Sequence, residues 1–291
     1  MRAKLAALTF SLCFGAATVS AQDAGPPGFA TNSPDYTAVN CSGFVGDKVS
    51  DEIHLISGEG SNPKVTFSHG DYVYINRGRD KGVQVGDRFS VMRPDKDPMD
   101  VPWFKWQHKL VKAMGQLYLD AGQIRVVNVQ PNVSIAEVGF SCGYLQRGDI
   151  VRPYVERPSP PFKDASTSFD HFAPVSGKRV AMIVAGPDYT QLFGRHSTVY
   201  VNLGTNQSVR MGDYFRVFRY QGTLAESVPQ TKGYQYKMYG FGSTHEKYEW
   251  KDLPREVLGE GIVINQGPNS STVLLTFTST DIYAGDYVEL E

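Results

Sequence analysis

The chain has 291 residues, 41% hydrophobic and 12% aromatic, with 29 Gly and 17 Pro. That is the composition of a folded globular protein and excludes a disordered one. Twenty-nine Lys and Arg against thirty Asp and Glu leave a net charge of −1, so no global field draws the chain to phosphate backbones, and nucleic acid is not an expected partner.

In chain order, residues 1–21 come first. Arg2 and Lys4 precede an apolar run from Leu5 to Val19, which ends in the small residues Ser20 and Ala21. This predicts a cleaved secretory signal and an exported protein. The run is shorter than the ~20 residues of a membrane span, so no transmembrane span is expected in the mature form. Cys13 follows Leu12 rather than the small residue of a lipoprotein signal. Loss of Arg2 and Lys4 leaves 27 basic against 30 acidic residues, a mature charge of −3. Residues 22–40 are rich in Pro, Gly and Ser and read as extended. Cys41 and Cys142 are the two cysteines left after cleavage, and an oxidising compartment predicts a disulfide between them. The competing reading is two buried thiols.

The rest of the chain contains one unit twice. VYINRGRDKGVQVGDRFSV from Val73 matches VYVNLGTNQSVRMGDYFRV from Val199, and GQIRVVNVQPNVSIAEV from Gly122 matches GEGIVINQGPNSSTVLL from Gly259. Each copy alternates apolar and polar residues over short segments and turns at Gly-Asp pairs: Gly86-Asp87 and Gly148-Asp149, then Gly212-Asp213 and Gly285-Asp286. Glycine supplies positive φ at such corners, and aspartate is expected to bond the backbone downstream of itself. Short strands with regular turns predict an all-β fold: two tandem small β-barrels or compact sandwiches. The modules are placed at residues 41–153 and 178–291, with a Pro- and Ser-rich linker at 154–177.

Each copy carries an insertion. In the first, Trp103, Trp106, Leu110 and Met114 recur near helical spacing, predicting a short amphipathic helix. It either plugs one end of its own barrel or forms a surface for a partner protein or membrane interface. In the second, Tyr234, Tyr236, Tyr239, Phe241, Tyr248 and Trp250 read as a long aromatic loop, able to stack on a sugar or peptide or to fold over a barrel end.

The sequence shows no chemistry that would make an enzyme. The six His form no metal-binding pair, and Ser61-x-x-Lys64 is interrupted by Pro63 before a strand-like run. No nucleophile elbow or phosphate loop is present, so no cofactor is expected. Arg147-Gly148-Asp149 spells an adhesion tripeptide, but the second copy has Ala284 in place of the arginine.

The V-x-[IV]-N-x-G strand exit, the V-x-x-G-D-x-F-x-V strand and the closing Gly-Asp-x-Val resemble the C-terminal domain of the flagellar assembly protein T family. The resemblance spans about Val65 to Pro153 and again about Val180 to Leu290. It implies a bacterial periplasmic or extracellular location and a non-enzymatic scaffold role, of the kind that builds a ring around the flagellar basal body. This chain departs from that family in carrying two copies and in having Ser208 where the first copy has Gly82. The expected function is therefore an exported cell-envelope scaffold or adaptor acting through contacts with envelope proteins. The expected contact surfaces are the Trp103–Met114 stripe and the aromatic loop. Alternatives are a glycan or peptidoglycan binding module, and a hydrolase whose site is assembled from residues distant in sequence.

Overall fold

The computed structural model describes residues 33–60, 63–96, 101, 103–163, 169–221 and 253–291. Helix α1 (Tyr36–Asn40) opens this part of the chain. The first repeat follows with β1 (Phe44–Gly46), β2 (Leu55–Gly58), β3 (Thr66–Phe67), β4 (Tyr72–Ile75) and β5 (Arg88–Pro94). Helix α2 (Gln107–Met114) precedes β6 (Gln116–Val129), β7 (Ser134–Ser141), β8 (Leu145–Gln146) and β9 (Ile150–Pro153). The second repeat supplies β10 (Val180–Ala185), β11 (Leu192–Phe193), β12 (Thr198–Val201), β13 (Tyr214–Gln221), β14 (Leu253–Gln266), β15 (Ser271–Thr278), β16 (Ile282–Tyr283) and β17 (Tyr287–Leu290).

The fold is all-β apart from these helices and short 3-10 turns. The second repeat is a closed barrel of order β10-β12-β15-β14-β13-β17, and the first is a curled sheet in the matching order β2-β4-β7-β6-β5-β9. The edges of the curled sheet meet at one bridge, His54 to Ile150. Leu55 N donates to Asp149 O at 2.9 Å and Gly148 N to Leu55 O at 2.8 Å, while Ile183 N donates to Asp286 O at 2.9 Å and Gly285 N to Ile183 O at 2.8 Å. Leu55 and Ile183 are thus equivalent positions. Alternation along each strand places Val73, Ile75, Phe89 and Val91 inside the first sheet and Val199, Val201, Phe215 and Val217 inside the second, as a period of two requires.

The four corners are built as the glycines suggested, with φ of 96°, 87°, 87° and 102° at Gly86, Gly148, Gly212 and Gly285. The aspartates correct the expectation. Asp87, Asp149, Asp213 and Asp286 accept from the N–H three residues upstream, at Gln84, Gln146, Arg210 and Tyr283. The carboxylate closes the turn backward because the chain doubles back before the aspartate. Ser208 holds φ 66° where Gly82 has 82°, so the second repeat keeps the left-handed corner without glycine.

Residues 33–40 also correct the sequence reading, since the last five form α1 rather than an extended strand. The Asp35 carboxylate caps the helix by accepting from Ala38 N at 2.6 Å, and Val39 is buried. Next to it, Cys41 and Cys142 form a disulfide across 101 residues.

Asn32–Glu291 forms one compact unit, and three parts of the chain fasten the two repeats together. The strap Ser42–Gly46 pairs through β1 with β6, and it accepts hydrogen bonds from the second barrel: Tyr200 Oη to Ser42 O at 2.9 Å, Thr272 Oγ1 to Gly43 O at 3.5 Å, and Ser270 Oγ to Val45 O. Gly43 has φ 63°, and any Cβ there would collide with the Tyr200 hydroxyl and the Tyr118 carbonyl. The linker is tied down on both sides. Arg157 makes two 2.7 Å bonds to Asp120 of β6, and Lys163 N donates to the Tyr214 hydroxyl at 2.8 Å. The insertion carrying α2 is the third fastening.

Candidate contact surfaces

Helix α2 does not plug its own barrel. Val101 and Phe104, just ahead of it, are buried in the core of the second barrel, with Trp103 and Leu110 packed against that core. Val111 and Met114 pack on Val184, Ala185 and Tyr200. Gln107 is completely buried, its Nε2 donating to Val184 O at 2.8 Å and to Gln191 Oε1 at 3.3 Å. The insertion fits the second repeat for a reason visible residue by residue. Two rim positions that are Arg77 and Arg147 in the first repeat are Leu203 and Ala284 in the second, both buried in that core.

Three of the four stripe residues, Trp103, Leu110 and Met114, are therefore engaged within the chain, and the surface expected to face a partner reduces to Trp106. Trp106 is 67% exposed. Lys105, Lys109 and Lys112 are exposed around it, and Lys109 Nζ lies 5.9 Å from its ring centre. Tyr234, Tyr236, Tyr239 and Phe241 lie outside the described residues.

The same outer strip of the two repeats has different fates. In the second repeat Val184, Tyr200, Ile264 and Thr272 cross β10, β12, β14 and β15, and none is more than 2% exposed. The strap and α2 cover Val184 and Tyr200. Ala38, Phe162 and Tyr214 cover Ile262, Ile264 and Leu274. The equivalent residues in the first repeat are Ile56, Tyr74, Val127 and Ile135 on β2, β4, β6 and β7. Ile56 is 37% exposed and neighbouring Tyr72 40%, and the other three are half-buried. Ile262 and Leu274 are replaced there by Arg125 and Glu137, an exposed pair 3.4 Å apart.

Beside that pair lies a groove of about 360 Å³ lined by Tyr36, Arg88, Gln123, Arg125, Glu137 and Phe140. Gln123 Oε1 accepts from Tyr36 Oη at 2.9 Å and from Arg88 at 3.2 Å. The Arg88 guanidinium stacks 4.0 Å from the Tyr154 ring centre, and Tyr36 meets Phe140 edge to face at 5.1 Å.

The buried charges elsewhere are structural. Arg93 grips Asp149 through bonds of 2.7 and 2.9 Å, and Arg219 grips Asp286 through 2.7 and 2.6 Å, so two of the four corner aspartates also anchor a strand β5 or β13 arginine. Burial pushes the Asp286 carboxyl above the usual carboxylate range, with Arg219 and the Tyr283 N–H pulling against it. Glu289 accepts from Arg255 at 2.7 Å, Arg216 at 3.2 Å and Ser176 N at 3.2 Å. Burial alone would raise its carboxyl; these partners outweigh that and hold it below the ordinary value. Arg255 also donates to the Ala173 and Pro174 carbonyls, so this cluster clamps the end of the linker. Among the described residues no three His, Cys, Asp or Glu side chains converge as metal ligands, and no helix is long and apolar enough to cross a membrane. Lys64, of the Ser-x-x-Lys sequence, pairs with Asp71 at 2.6 Å.

No protein-family model and no curated protein matches the chain. The repeats themselves are the available internal comparison. Position-by-position alignment of the two copies was the signal that could have located the covered and uncovered faces. Ile56 and Gln107 lie outside the repeated motifs, and Tyr74 occupies an unspecified position of one.

Proposed function

We propose that the protein is an exported bacterial cell-envelope scaffold or adaptor that works through protein contacts, as its resemblance to the flagellar assembly protein T module implies. The observation that carries this reading is Trp106. A tryptophan 67% exposed at the N-cap of a helix whose inner side is locked into the second barrel is a rigid aromatic anchor of the kind that dominates protein interfaces. The strap and the linker support the same reading, because they join the two repeats into one block. The disulfide accords with export to an oxidising compartment.

The test is crosslinking in envelope fractions with wild-type protein and Trp106→Ala, which leaves the half-buried Trp103 untouched. Loss of specific crosslinked partners in the variant is the expected result; an unchanged partner profile removes Trp106 as the contact. Glycan binding is a second reading favoured by one feature, the groove in which Tyr36, Phe140 and Arg88 stand together. Cosedimentation with purified cell-wall sacculi, lost in Tyr36→Ala, would support it.

A further inference from the structure

The two repeats supply an internal control for what covers a given surface. On the second barrel, Val184, Tyr200 and Thr272 of the outer row lie under the chain's own strap and α2, and Ile264 lies under Ala38, Phe162 and Tyr214. The strap crosses as an extended segment, with Val45 packed among the buried apolar side chains and backbone carbonyls turned to the barrel's hydroxyl groups. On the first repeat the corresponding row is Ile56, Tyr74, Ile135 and Val127. Its register is the same: Tyr74 faces Ile135 across β4 and β7, as Tyr200 faces Thr272 across β12 and β15.

The row in the first repeat has kept one of the three hydroxyl donors that receive the strap, the tyrosine. Tyr74 stands at the position of Tyr200, whose hydroxyl donates to the Ser42 carbonyl at 2.9 Å, and among the described residues the Tyr74 hydroxyl has no hydrogen-bond partner. Two other positions have become more apolar. Ser270 and Thr272, which donate to the strap, correspond to Val133 and Ile135. Solvent contact alone would select polar residues there, as it did one step further along the strands, where Arg125 and Glu137 replace Ile262 and Leu274. An apolar row flanked by a charged pair is the pattern of a surface that is covered part of the time.

We propose that the outer face of β2, β4 and β7 in the first repeat binds an extended apolar segment of a partner polypeptide, laid across the strands as Ser42–Gly46 lies on the second barrel. The apolar side chains of the segment pack on Ile56 and Ile135, and one of its backbone carbonyls accepts from the Tyr74 hydroxyl. The occupant is identified by chemistry: a free extended backbone with small and apolar side chains, uncharged where it crosses the row. This deepens the protein-contact reading and rests on it, but it concerns a different face from Trp106.

The probe is the chain's own strap, an acetylated and amidated peptide Ser42–Val49, titrated into the full chain while the isoleucine methyl signals are followed by NMR. Saturable shifts at Ile56 and Ile135 are expected, with a dissociation constant below about 1 mM. Tyr74→Phe should weaken binding roughly 2- to 10-fold, the worth of one hydrogen bond, and Ile56→Lys with Ile135→Lys should abolish it. Thermal unfolding of each variant, unchanged from wild type, shows that the fold survives. Three results would overturn the proposal. One is no saturable shift up to about 5 mM peptide, or shifts that map elsewhere. Another is self-association of the protein that Ile56→Lys removes, which assigns the face to a second copy. The third is binding to vesicles of anionic lipid that Ile56→Lys removes, which assigns it to a membrane. The peptide titration can fail while Trp106-dependent crosslinking persists, and the reverse, so the two readings are separable.

Discussion

The two repeats share strand order, corner construction and an apolar interior, with Val73, Phe89 and Val91 matched by Val199, Phe215 and Val217, yet the outer strip is covered in the second and partly open in the first. On the second, side chains from the strap, α2 and the linker bury the outer strip; on the first, the same strip meets solvent. Four exchanges account for the difference. Leu203 and Ala284 stand where Arg77 and Arg147 do, and Ile262 and Leu274 where Arg125 and Glu137 do. Interior positions of the two copies stay apolar because they pack on one another. Outer positions are free to follow whatever lies against them, so divergence between copies maps the neighbours of each.

The comparison can be broken from either side, most severely at the plug. Phe104→Ala should lower stability by about 3–5 kcal/mol, the cost of deleting a buried phenylalanine, read as a shift of the denaturant midpoint. Ala284→Arg rewrites the second barrel's rim as the first barrel's and should cost at least about 3 kcal/mol, since a charge is forced into a completely buried position without a partner. The reverse exchange, Arg147→Ala at an exposed position, should stay within about 0.5 kcal/mol.

The paired tyrosines sharpen the contrast. Burial pushes the Tyr200 hydroxyl well above the ordinary tyrosine range, and Tyr200→Phe leaves the Ser42 carbonyl without its donor, at a cost of about 1–3 kcal/mol. Tyr74→Phe should cost less than about 0.5 kcal/mol in the protein alone. The linker clamp responds to acid. Glu289 is held below its ordinary value in the folded state, so its contribution is present above the unfolded carboxylate value and is lost as pH falls through the folded one. Limited proteolysis of the linker end near Pro174 should therefore accelerate at acidic pH below the ordinary carboxylate range, and Glu289→Gln should remove most of that dependence. The smallest expected effect is at Ser208, where Ser208→Gly restores the residue of the first copy and should stabilise by about 0.5–1 kcal/mol, relieving the left-handed backbone.

Much of the fold was legible in the sequence because the repeat is its own alignment. The strand pairs around Asn76 and Asn202, the four glycine corners and the all-β class follow from alternation and turn residues, which are local properties. The destination of α2 was not legible. Helical spacing at Trp103, Leu110 and Met114 shows that a face is buried, but not against which repeat, and the rim residues that decide it, Leu203 and Ala284, lie in the other repeat. The backward hydrogen bonds of the corner aspartates were also missed, since Gly-Asp spacing is the same for either direction. The strap was hidden for another reason: Ser42–Gly46 is short and unpatterned, and it matters because Gly43 lets the backbone pass against Tyr200. Of the expected contact surface, only Trp106 remains open to solvent among the described residues.

Equivalent residues on the two repeats are fully covered in the second and partly open in the first. Hydroxyl-radical footprinting of the purified protein, read by mass spectrometry at single residues, tests it directly. Rapid oxidation of Tyr72, Tyr74 and Trp106 is expected, with strong protection of Tyr200 and slower modification of Trp103. Equal rates at Tyr74 and Tyr200 would contradict it.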